Sequence, residues 1–209
     1  IPLVLSTSSL TLTLFVDRLF LSWHSIEAVA AVTPGGITYF TIVCFFQGVA
    51  QYVNTLVAQS HGAGDWKAVS RSVWQGATFS LLSAPVMILC IPLGVFILKN
   101  SGHDPVIIGL EVDYFYILML GGLFVPVGAA FSSFFSGRGK TTVVLIGNLA
   151  ANIFNIVLGY ILIFGRLGLP EMGIRGAAVA TALSNIIPLV YWFYLFLSNR
   201  FQAKYHTRS

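Results

Sequence analysis

Charge is what this sequence has least of. Asp, Glu, Lys and Arg make up only 9% of its 209 residues, where a soluble domain carries about a quarter. So few charges cannot clothe a water-facing surface, which excludes an ordinary soluble domain. Cysteine is nearly absent as well. Cys44 and Cys90 both stand inside apolar runs, so a disulfide framework and a thiolate metal site are excluded and both read as small hydrophobes. His24, His61, His103 and His206 are scattered through connecting stretches and the tail. No Ser–His–Asp, His–Glu or paired-carboxylate arrangement accompanies them, so the sequence gives no ground for an enzyme. What is plentiful is apolar: 56% of the residues are hydrophobic and mean hydropathy is +0.86. The net charge of +4 is small and calls for one side of a membrane, not for nucleic acid.

Six apolar segments can be marked, at about 1–23, 33–58, 72–98, 106–135, 143–164 and 177–197. Each is long enough to cross a bilayer as a helix, and about twice the roughly 10 residues of a transmembrane strand. The sequence therefore predicts an all-α membrane protein with six transmembrane helices in one bundle over 1–199. A polar, basic tail over 200–209 closes the chain. The chain opens on Ile1 inside an apolar run, without a charged n-region or cleavage site, so it reads as a fragment and not as a signal peptide. Lys67, Arg71, Arg138, Lys140, Arg200, Lys204 and Arg208 fall on one side of the six spans, against Arg18, Lys99, Arg166 and Arg175 on the other. The positive-inside rule makes both ends cytoplasmic.

Polar residues inside the spans carry the functional reading. Asn148, Asn152 and Asn155 recur at i, i+4 and i+7, on one helix face. Gln47, Gln51 and Asn54 repeat that spacing in the second segment. An amide facing lipid has no partner. Such stripes either glue helices together or wall a cavity, and three amides in register favour the wall. Asp17 is the sharpest single residue, because a carboxylate inside a span is costly. It lies six residues before Trp23, roughly 9 Å inward at 1.5 Å per residue. Asn155 and Thr181 fall at similar depth in the fifth and sixth segments. One carboxylate with amide and hydroxyl oxygens can bind a proton, or Na⁺ if enough oxygens converge. Glu111 and Asp113, early in the fourth segment, read as solvated headgroup carboxylates. SGRGKTT resembles a phosphate loop, but Phe134 stands where that motif needs glycine and no strand precedes it.

The chain resembles the multidrug and toxic compound extrusion (MATE) transporters. The likeness rests on Pro2 with VDRLF (Val16 to Phe20), LVAQSHGAG (Leu56 to Gly64), SGRGKTT, and above all NIVLGYILIFGRLGLPEMGIRGAAVAT from Asn155 to Thr181. It covers nearly the whole chain, as the amino-terminal six-helix lobe of a twelve-helix, two-lobe transporter. It implies export of amphipathic, often cationic compounds against inward Na⁺ or H⁺, with no cofactor beyond the coupling ion and with membrane lipid and a second lobe as partners. It also assigns cation coupling to Asp17, Asn155 and Thr181. The amide stripes Gln47, Gln51, Asn54, Asn148 and Asn152, with Gly159, are the expected cavity lining. Members with a well-formed Na⁺ site carry Asp or Asn where this chain has Gly159, so H⁺ is the favoured ion and Na⁺ the alternative. Two other functions fit less well. A lipid-linked precursor flippase would want a basic cavity, which these spans lack, and a self-contained channel or scaffold would not open inside an apolar run.

Overall fold

A computed structural model of the protein describes residues 2–205 and 207, without the side chains of 2–10 and 200. Ile1, His206 and Arg208, named above in the first segment and the tail, lie outside the described residues. Eleven helices follow one another with no strand among the described residues: α1 (Pro2–His24), α2 (Ile26–Gln51), α3 (Val53–Gly62), α4 (Trp66–Leu89), α5 (Ile91–Lys99), α6 (Pro105–Gly122), α7 (Val125–Ser136), α8 (Thr141–Ile163), α9 (Gly173–Ser184), α10 (Ile186–Phe196) and α11 (Asn199–Tyr205). Among the described residues, five stretches are long and apolar enough to cross a membrane: Ile26–Gly62, Trp66–Lys99, Pro105–Gly122, Thr141–Ile163 and Gly173–Phe196. The first of the six expected segments falls on α1, which matches α8 in length at 23 residues.

Four segments are two helices in tandem, and proline explains three of the breaks. Pro92, Pro126 and Pro188 each lack an amide proton and crowd the carbonyl four residues back. The helices accordingly part at Cys90, at Leu123–Phe124 and at Asn185. Pro34 and Pro85 are instead accommodated inside α2 and α4. The hydroxyl of Thr38 donates to the Pro34 carbonyl at 2.9 Å. The break at Tyr52 has no proline, and nothing in its sequence explains it.

Helix starts shift from the sequence expectation where a cap decides. α2 begins at Ile26, not near 33, because Ser25 Oγ accepts from the Ala28 amide at 3.0 Å. Asp65 and Asp104 cap α4 and α6 in the same way, at 3.0 and 2.9 Å. SGRGKTT ends α7. Gly139 takes φ of +75°, and the Lys140 amide reaches back to the Phe135 carbonyl at 2.9 Å.

Arg138 of that turn fastens the short α11. Its guanidinium lies 3.6 Å above the Phe134 ring and 4.8 Å from those of Phe201 and Tyr205. Nε donates to the Phe134 carbonyl at 2.6 Å. Burial pulls the guanidinium below its ordinary pKa, and its hydrogen bond with Tyr205 works the other way.

The largest packing faces join α2 to α6, α1 to α8, α8 to α9, and α6 to α9. α8 is therefore gripped between α1 and α9. That arrangement builds the site.

Candidate functional site

Asp17 (α1), Asn155 (α8) and Thr181 (α9) meet where these three helices pack. The sequence placed them at one depth but could not say that their helices were neighbours. Asn155 is buried, while Asp17 and Thr181 are partly so. The Asn155 amide stands between the other two groups, and its orientation follows from what they offer. Facing an ionised Asp17, its nitrogen donates to the two carboxylate oxygens at 3.0 and 3.2 Å and its oxygen accepts from Thr181 Oγ1 at 3.1 Å. Turned over, the nitrogen donates to Thr181 Oγ1 at 3.1 Å, and the Thr181 hydroxyl donates to the Ala177 carbonyl at 3.0 Å. The amide oxygen then faces the carboxyl group and needs a proton on it.

Gly159 lies one turn along α8, and a Cβ there would stand 3.7 Å from Asp17 Oδ1. It belongs to this group of residues and not to the cleft described next. Arg18 forms no ion pair with Asp17 among the described residues, as expected of side chains about 100° apart on a helix.

The two amide stripes converge separately. Gln47 and Gln51 of α2 face Asn148 and Asn152 of α8 across a cleft of about 370 Å³, which Ser132, Phe124, Asn185 and Trp192 also line. Neither stripe enters it whole. Asn155 turns away to Asp17 and Thr181, and Asn54 instead accepts from Ser136 Oγ at 2.8 Å. The cleft lining contains no Lys, Arg, Asp or Glu.

Three polar residues near these sites were missed by sequence reasoning. Tyr39 is hydrogen-bonded by Asn185, and Tyr114 of α6 lies within electrostatic reach of Asp17, Tyr39 and Arg18. A Tyr or Asn in an apolar run is itself the signal, since its polar tip needs a partner once buried. Glu111 corrects the sequence reading outright: it is 0% exposed, not solvated.

The cleft makes a testable statement. With Asn148→Cys and Asn152→Cys, a small water-soluble thiol reagent added to membranes should modify both positions. Ile153→Cys, 63% exposed on the outer face of the same helix, should be left nearly unmodified by lipid. Equal protection of all three would mean the amides serve as packing glue.

A family model described as MatE matches residues 2–161. The chain is 28% identical to a probable multidrug resistance protein NorM of Thermotoga maritima over 190 residues, 90% of this chain and 41% of that protein. It is 35% identical to a protein of the same description from Rhizobium meliloti over 168 residues, 78% of this chain and 35% of that one. It thus spans well under half the length of these curated relatives. Among solved structures, the outward-facing conformation of a multidrug resistance MATE family transporter of the MOP superfamily superposes with a TM-score of 0.86. The sequences there are 22% identical, covering 95% of this chain and 44% of that one, a likeness of fold.

Proposed function

Because this chain belongs to the MatE family, we propose that it is one six-helix lobe of a cation-coupled antiporter that exports amphipathic organic cations. The carrying observation is the Asn155 amide between Asp17 and Thr181. Its two orientations answer two states of the carboxyl group. Ionised, Asp17 takes the amide nitrogen, and Thr181 gives its proton to the amide oxygen. Protonated, Asp17 donates to the amide oxygen, and the Thr181 hydroxyl returns to the Ala177 carbonyl of its own helix. A proton arriving at Asp17 thus cancels the carboxylate's charge and rewires α1 against α8 and α8 against α9. The resulting shift reaches the cleft through Asn152, three residues before Asn155 on α8.

The ion follows from the donors. Asp17, Asn155 and Thr181 supply few oxygens for a hard cation, and Gly159 supplies none. A proton needs only the carboxylate, so H⁺ is the proposed coupling ion. Substrate enters the cleft, where amides, Phe124 and Trp192 offer hydrogen bonds and aromatic faces to an organic cation. A cleft without Lys or Arg does not suit the pyrophosphate of a lipid-linked precursor. The membrane is the bacterial inner membrane with both ends of the chain cytoplasmic, and no cofactor takes part.

Reconstitution tests this reading. A full-length protein that includes this chain should export ethidium from proteoliposomes when a proton gradient is imposed, whereas the 209 residues alone should not. Ethidium transport by the isolated chain as a monomer would overturn the half-transporter reading, since repeat-built transporters place their site between two lobes. Gly159→Asp should make export depend on Na⁺. A second carboxylate would stand against Asp17, and a cation would relieve their repulsion. Unchanged Na⁺ dependence would mean that Gly159 does not set the ion.

A further inference from the structure

Glu111 takes no part in the mechanism above, yet it is the most deeply buried acid among the described residues. Its side chain has 0% exposure. Oε1 lies 2.6 Å from Nδ1 of His103, while Oε2 is buried with no hydrogen-bond partner. His103 belongs to the loop between α5 and α6, and its side chain is 43% exposed. The carboxyl group therefore meets solvent through one imidazole.

A bare carboxylate oxygen in a low-dielectric interior is strongly disfavoured. Two arrangements relieve it. Either the acid is neutral and donates to His103 Nδ1, or His103 is an imidazolium donating to the carboxylate. Both hold one exchangeable proton within the 2.6 Å contact, and both exchange it with solvent along the imidazole. Other charges nearby do not substitute for it. Lys99 at the end of α5, Asp104 capping α6 and Glu27 in the first turn of α2 are exposed. Asp113 is held by Arg175 of α9 at 2.7 and 3.0 Å.

We propose that His103 and Glu111 form a second proton-binding site of this bundle, filled from solvent at the α5–α6 loop and separate from Asp17. Its position gives the proton something to act on. The Glu111 carbonyl packs so closely on α2 that a Cβ at Gly35 would come within 3.0 Å of it, so the occupied pair sits at the crossing of α2 and α6. Tyr114, three residues further along α6, leads toward Asp17. The site stands whether or not Asp17 is the coupling residue.

Infrared difference spectroscopy of the purified full-length protein on transfer to heavy water, read in both the carboxyl and the carboxylate regions, tests this. The wild type should show an exchange-sensitive band that Glu111→Gln deletes, distinct from the band that Asp17→Asn deletes. Where Glu111→Gln does not fold, His103→Gln decides: the Glu111 band should shift in frequency and exchange more slowly into heavy water. A Glu111→Gln spectrum identical to the wild type in both regions, or a band frequency and exchange rate unmoved in His103→Gln, overturns the proposal.

Discussion

Asp17→Asn should bring gradient-driven export down to the rate of protein-free vesicles while insertion and expression stay at wild-type levels. The substitution preserves volume and removes both the charge and the proton acceptor. The new amide can still bond Asn155, whose nitrogen or oxygen faces it in either orientation of that side chain, so no buried polar group is orphaned. What is lost is the alternation. With residue 17 permanently neutral, Asn155 has no reason to turn over and Thr181 no reason to leave the Ala177 carbonyl. Dye export under an imposed proton gradient, normalised to protein in the membrane, is the measurement. Normal export by Asp17→Asn would remove Asp17 from the coupling mechanism.

Gly176→Ala should strongly destabilise the packing of α8 on α9. A Cβ at Gly176 would lie 2.7 Å from the Leu162 carbonyl carbon, 2.8 Å from its oxygen and 3.0 Å from the Ile163 nitrogen. All three atoms are backbone, so no side chain can swing away and α8 must back off from α9. Overpacking of this kind costs about 1–3 kcal/mol. It also stretches the 3.1 Å contact between Asn155 and Thr181, which these two helices carry. Gly159→Ala is the internal control, because its Cβ would meet Asp17 Oδ1 at 3.7 Å and Ala180 at 3.8 Å, ordinary contact distances. Thermal unfolding in detergent should show a clear loss for Gly176→Ala and little for Gly159→Ala. Equal midpoints would mean the helices yield more easily than their backbone contact implies.

Much of the bundle was legible in the sequence because hydrophobic length and proline act locally. The five stretches long enough to cross a membrane, and the breaks after which Pro92, Pro126 and Pro188 fall, follow from composition along a line. Neighbourhood was not legible. Periodicity gave the faces of Asn148, Asn152 and Asn155 but not that α8 rotates the third amide out of the cleft and into the grip of α1 and α9. Asn54 shows the same limit, since its bond to Ser136 spans 82 positions. Glu111 misled for a physical reason. Proximity to a loop suggests water, but the α5–α6 loop carries His103 back onto α6 and closes the carboxyl in. Caps hide in the same way: Asp65 and Asp104 look like surface charge until their amide partners are known.

The proline breaks divide the bundle mechanically. Phe124 and Asn185, at the joints of α6 with α7 and of α9 with α10, both border the cleft. Beyond those joints α7 and α10 pack on each other, α7 also on α2 and α4 and α10 also on α8. The upstream halves α6 and α9 hold Glu111 and Thr181 and pack firmly together. If the two joints flex, the width of the cleft changes while the packing of α6 on α9 is kept. On the antiporter reading proposed above, compliance would sit at the cleft that receives cargo, and rigidity at the site that takes the proton.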